Sequence, residues 1–201
     1  MGFDLYGKNP ENPKGLSAPK IDWTRSNIPE KEKKKHFDAV NDFQNKVKGD
    51  YFRANVWWWR PIWDFTCRKC GDILTDKDMD YGSSNDNHFI NKSKSKRIAT
   101  RLNKAITNGS AKKYEEQIAI TQARGKEIND NVDKKLDKLK KEVEEATGDK
   151  NIAPSDYPES YKKRWDETYS RRDWGSSYPF NTKYLKEFSD FCNESGGFYI
   201  G

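Results

Sequence analysis

The sequence predicts a mainly α (α+β) protein: a helical domain, a small strand pair made from the two ends of the chain, and a protruding charged helical arm. Three observations predict it. Apolar residues recur at three- and four-residue spacing in several segments, which is the period of one helix face. A heptad-like seam runs through a breaker-poor stretch late in the chain. Alternating or purely apolar short runs occur only at the two ends, at Phe3-Asp4-Leu5-Tyr6 and Phe198-Tyr199-Ile200. The 201 residues form a single domain, 1–201, with enough length for one core. The composition is polar, 35% charged, with a mean hydropathy of −1.17. Disorder is nevertheless not expected, because 7 Trp, 10 Tyr and 10 Phe supply the apolar bulk that disordered chains lack.

In chain order, Phe3-Asp4-Leu5-Tyr6 alternates up to Gly7 and reads as a strand. Residues 8–28 carry Pro10, Pro13, Gly15 and Pro19 without a period and read as loop, with Trp23 pinned to the body. Pro29 suits a first helical turn. From Glu30 to Lys48, Phe37, Val40, Phe43 and Val47 make one stripe, and Gly49 stops the helix. The run Tyr51-Phe52-Arg53-Ala54-Asn55-Val56-Trp57-Trp58-Trp59-Arg60-Pro61 is the most unusual. Three adjacent Trp cannot all face inward: in a helix they fan over about 200°, and in a strand Trp57 and Trp59 oppose Trp58. Trp57 and Trp59 are expected in the core, Trp58 outside it if the segment is extended. Pro61 reads as a helix start, continued by Ile62, Trp63 and Phe65.

Residues 76–87 read as loop. Asn91 or Ser93 caps a helix with Ile98, Leu102, Ala105 and Ile106 inward, ending at Asn108-Gly109. The arm, 111–150, carries Ile128, Val132, Leu136, Leu139 and Val143, with Gly125 as a potential division. One helix of a two-helix arm burying its stripe, or a homodimer through 126–145, both fit this seam. Tyr157, Tyr161, Trp165 and Tyr169 form an aromatic stripe, and Asn181 or Thr182 opens a last helix with Tyr184, Leu185, Phe188 and Phe191 inward. Phe198-Tyr199-Ile200 then pairs with the N-terminal strand.

The net charge of +6 and pI of about 9.0 permit phosphates or acidic proteins as partners. No apolar run is long enough for a membrane span. The N-terminus has no signal-peptide layout, and Tyr6 excludes the myristoylation pattern. Three Cys make no disulfide framework. A cytoplasmic protein without a cofactor is expected.

Between Asn87 and Tyr114 there are eight Lys and Arg and no acid; on a helix Lys94, Arg97, Arg101 and Lys104 share a row. Such a row is either a solvated face or a phosphate site. Arg53, Trp58 and Arg60 offer a stacking face between guanidinium groups, suited to bases or to an interface. Asn85, Asp86 and His88 form a polar cluster ahead of the basic helix, either plain turn chemistry or a general base. Cys67-Arg68-Lys69-Cys70 is half of a zinc site that His88 and Cys192 would complete; free cysteines are the default. No catalytic constellation stands out. The preferred function is a non-enzymatic binding protein that captures a phosphate-bearing ligand, nucleotide or nucleic acid, through Arg53, Trp58, Arg60, Asn85, Asp86, His88, Lys94, Arg97 and Arg101. The alternatives are a module that docks on a host protein through the charged arm, and a nucleotide-acting enzyme using Asp86 and His88.

Gly2-Phe3-Asp4-Leu5-Tyr6-Gly7, Tyr51-Phe52-Arg53 with Asn55 through Pro61, Asn85-Asp86 with Ile98 through Leu102, and Tyr178-Pro179-Phe180 through Ser195-Gly196-Gly197-Phe198 resemble a group of small uncharacterised proteins of bacteria and their phages. The resemblance covers about half the chain, in separated blocks. It implies no established activity, but it fits one body built from both ends with an insertion at 8–48; the preferred binding protein would then be a phage-type accessory or counter-defence factor in a bacterial cytoplasm. The group's paired CxxC motifs imply zinc, but residues 111–150 here contain no Cys.

Overall fold

A computed structural model describes residues 2–12 and 14–201. It is mainly helical with one four-stranded antiparallel sheet among the described residues. Two compact units form: Met1–Lys113 with Asn181–Gly201, and Tyr114–Phe180.

In the first unit the two chain ends pair as the sequence predicts. β1 (Gly2–Gly7) runs antiparallel to β4 (Gly197–Ile200), with Leu5 opposite Ile200. Two strands that the sequence leaves unassigned flank them: β2 (Tyr51–Asn55) beside β1, and β3 (His88–Asn91) beside β4. The order is β2-β1-β4-β3. Alternation sends Phe3, Leu5, Phe52, Ala54, Ile90, Phe198 and Ile200 to one buried face.

Helices cover that face. α1 (Glu30–Lys46) precedes β2, and α2 (Val56–Lys69) follows it directly. α2 starts five residues before Pro61, because Asn55 caps it: the Asn55 side chain accepts the Trp58 N–H at 3.0 Å. Pro61 is therefore inside the helix and buried, which corrects its reading as a start. Trp59 and Trp63 stack one turn apart, 5.3 Å between rings, and both are buried. Trp57 falls on the outer side of the helix and is 48% exposed, so its expected place in the core is wrong.

Residues 76–81 are not loop but a short helix, α3 (Asp76–Tyr81), started by a Thr75–Asp78 capping box. The indole N–H groups of Trp59 and Trp63 donate to the carbonyls of Gly82 and Met79 at 2.8 and 3.0 Å. Gly82 is required there, since a Cβ would lie 2.1 Å from the Trp63 ring. α4 (Lys92–Thr107), capped by Asn91, packs against α7 (Thr182–Glu194), capped by Asn181. Small residues let the two helices approach: Ser95 Oγ donates to the Cys192 carbonyl at 2.5 Å and Ser189 Oγ to the Ala99 carbonyl at 3.0 Å.

The stripe of α1 is shallower than its spacing suggests. No residue of the helix is buried, Phe37 is 52% exposed, and Val47 is buried only beyond its end. Trp23 packs on His36 and Phe37 of α1 and stays 54% exposed.

α5 (Ser110–Thr147) is one unbroken helix, and its residues from Tyr114 on belong to the second unit. Gly125 does not divide it. A Cβ there would meet Ser176 Oγ at 1.9 Å, so glycine admits the returning turn at Gly175–Ser177. Asn129 and Asp173 exchange two hydrogen bonds, and Arg164 of α6 (Glu159–Tyr169) reaches Glu142 at 2.9 Å. Val132, Leu136, Leu139 and Val143 are buried, and only Ile128, 39% exposed, stays open. Most of the seam is thus covered within the chain. No helix among the described residues is long and apolar enough to cross a membrane.

Candidate anion-binding groove

β2 is an edge strand, and where it passes into α2 the chain turns beside the start of α7. Arg53 and Asn55 come from the strand, Trp58 from the first turn of α2, and Asn181, Lys183, Tyr184 and Glu187 from α7. Together they line an open groove of about 450 Å³. Both N-cap asparagines face it, so the groove lies at two helix N-termini. Each terminus carries a partial positive charge from the aligned peptide dipoles. Asn181 accepts the Tyr184 N–H at 3.1 Å, as Asn55 does for Trp58.

The wall is rigid. Tyr184 donates its hydroxyl to the Arg53 carbonyl on the free edge of β2, at 2.7 Å, and its ring lies 5.1 Å from Phe52 and 5.7 Å from Trp58. Burial, followed by the charge of Glu187, holds the Tyr184 hydroxyl well above the ordinary phenol range, so it stays a neutral donor. Trp58 is half-buried and presents its remaining surface to the groove. Arg53 and Lys183 take part in no ion pair among the described residues.

No family model, curated protein or solved structure matches the chain.

Of the residues expected to line one site, the structure brings only Arg53 and Trp58 to this groove. Arg60 points to another depression, with Trp59, Trp63, Asp64, Cys67 and Ser83. The reason is the helix: two residues along, the side chain has turned through about 200°. Arg97 and Arg101 border a third, shallower depression of about 270 Å³. Arg101 forks onto both oxygens of Asp72 at 2.9 and 2.8 Å and onto the Lys69 carbonyl at 2.8 Å, and Arg97 leans on the Asp72 carbonyl at 3.5 Å.

Lys94 leaves the row entirely. It pairs with Asp78, whose other oxygen is 2.9 Å from His88 Nε2. Burial by itself raises the Asp78 carboxyl, but hydrogen bonds from Lys94, Thr75 and His88 outweigh it and hold the group well below the usual carboxylate range. The triad fastens α3 to β3 and α4, and His88 has Tyr81 5.5 Å away on its other side. Its acid is Asp78, not Asp86. Asn85 and Asp86 are exposed in the turn before Asn87, which adopts φ = 56°.

The cysteines do not form the alternative metal set with His88 among the described residues. Cys70 and Cys192 are fully buried, Cys67 half so, and no group of three metal-ligating side chains occurs among the described residues. Burial pushes the Cys70 thiol up to about 11 and the Cys67 thiol to about 12. Such thiols are poor nucleophiles at neutral pH.

Sequence reasoning missed Asn55, Lys183, Tyr184 and Glu187 as site residues. Asn181 had a visible signal as a helix start; Tyr184 was assigned inward. That the two caps meet depends on β2 and α7 becoming neighbours, which no local pattern shows.

Proposed function

We propose that the protein is a non-enzymatic binding protein that captures a phosphate-bearing aromatic ligand, a nucleotide or a nucleic-acid strand, in the groove at the starts of α2 and α7. One observation carries this reading: two cations in no ion pair among the described residues, Arg53 and Lys183, stand at two helix N-termini beside the Trp58 ring, with Glu187 as the one acid in the lining. Helix N-termini favour anions, guanidinium grips phosphate through paired donors, and Trp supplies a stacking face. The placing of Lys94 and Arg101 on internal carboxylates takes them out of the capture role expected from the sequence.

Calorimetric titration with a nucleoside monophosphate, a short oligonucleotide and inorganic phosphate tests it at low salt. Saturable binding is expected, weakening as salt rises and as Arg53 or Lys183 is replaced by Ala. No binding by any of the three would end the proposal.

A further inference from the structure

The strand register places four aromatic side chains in one row across the outer face of the sheet. Tyr51 of β2 stands opposite Tyr6 of β1, Tyr6 opposite Tyr199 of β4, and Tyr199 opposite Phe89 of β3. The row therefore crosses every strand, at the strand spacing of about 4.8 Å. It is on the side away from Phe3, Leu5, Ile90 and Phe198. Tyr6 is 49% exposed, and Tyr51, Tyr199 and Phe89 are each partly open. The rings form two tilted pairs, Tyr6–Tyr51 at 5.3 Å and Phe89–Tyr199 at 4.7 Å.

Cations border the row at both ends. Lys8 Nζ sits 4.6 Å over the Phe89 ring, and Arg53 is on the same face of β2 as Tyr51. One acid, Asp4, is also there, and it accepts the Tyr51 hydroxyl. The other outward positions of the four strands include Asn55 and Asn91 but no aliphatic side chain. Exposed rings flanked by ammonium and guanidinium groups match the flat faces and phosphates of unpaired nucleotides.

We infer that the outer face of the sheet is a stacking platform for a single-stranded nucleic acid, running from Phe89 through Tyr199 and Tyr6 to Tyr51 and on, by way of Arg53, into the groove. This rests on the groove reading for its phosphate anchor and gives that ligand its class. Arg53 belongs to both surfaces: it is an outward residue of β2 and it lines the groove. A duplex is excluded by the same geometry, because its base faces are already stacked.

The test is fluorescence anisotropy with a labelled ten-nucleotide single strand, as DNA and as RNA. Its duplex, an abasic strand of equal length and an unlabelled nucleoside monophosphate serve as comparators. The single strand is expected to bind at least about fivefold more tightly than the abasic strand, and more tightly than the duplex. Tyr6→Ser and Tyr199→Thr should each weaken it at least about fivefold while leaving monophosphate binding in the groove unchanged. Tyr199→Thr puts a β-branched residue of high strand propensity in the central strand and guards against a variant that fails to fold. Equal binding of abasic and normal strands, or full affinity in both folded variants, overturns the platform. Monophosphate binding without strand binding sinks the platform alone. Failure of every ligand sinks the groove reading as well.

Discussion

The basic helix α4 and the groove beside β2 both present cations, yet they do opposite things with them. In α4, Lys94 is held by Asp78 and Arg101 by Asp72. In the groove, Arg53 and Lys183 face open space beside Trp58 and two helix starts. Two cations of the stretch that looks most like an anion site in sequence thus fasten α4 to α3 and to the turn at residues 70–75. The stretch with fewer charges leaves Arg53 and Lys183 lining an open groove. Local charge density says how many cations a segment has. It does not say which already have acids, and those acids are 16 and 29 residues away.

The comparison breaks most visibly at Asp78. Its carboxylate is 5% exposed and serves both Lys94 and His88. Asp78→Ala removes that acid, leaves the Lys94 charge uncompensated and opens the capping box of α3. A loss of about 3–5 kcal/mol in urea unfolding at neutral pH is expected, with ligand affinity of the folded fraction unchanged. The pH dependence follows from the sign of the shift. The folded carboxyl lies below its unfolded value, so its contribution is present above about pH 4 and is lost as pH falls further. Asp78→Asn should flatten the stability profile in that acid range; an unchanged profile would show that the triad does not stabilise the fold.

How much of this was legible depended on whether the deciding contact was local. Asn91 and Asn181 were readable as caps, because a cap is set by its own next turn. The strand pair of the two ends was readable because both ends are short, apolar and bounded by Gly or the chain end. β2 and β3 were not, since a four- or five-residue strand such as His88–Asn91 gains its stability from the neighbours it finds. Trp57 was misplaced because Asn55 starts the helix at Val56 and turns alternate indoles away from each other. In the site, Arg53 and Trp58 were legible as residue types with the right chemistry. Their companions Lys183 and Glu187 were not, because about 130 residues separate them in the chain. The aromatic row was invisible for the same reason: it exists only in the register of four strands.

The groove should answer substitution in the opposite sense to Asp78. Arg53→Ala and Lys183→Ala remove exposed charges in no ion pair among the described residues, so unfolding should stay within about 0.5 kcal/mol of the parent protein. Each should weaken a nucleoside monophosphate by about tenfold, the cost of one charge-assisted hydrogen bond. Trp58→Ala comes next, with a loss of about fivefold or more from the missing stacking face. Calorimetry at one low salt concentration ranks the three. A variant that loses stability but not affinity would return its residue to a structural role.

The smallest effect sharpens the contrast most. Arg101 grips Asp72 with two oxygens, but both groups are exposed, so water and salt screen the pair. Arg101→Ala should barely move the unfolding midpoint at low salt and not at all at high salt. Ligand affinity should not change either, because Arg101 lines a different depression from Arg53. Arg53→Ala and Arg101→Ala delete the same charge from the same unit, so both lower the net charge equally. If general attraction to a basic protein drove capture, the two variants would bind equally weakly. A deficit confined to Arg53→Ala assigns the binding to the groove instead of to the sum of the charge.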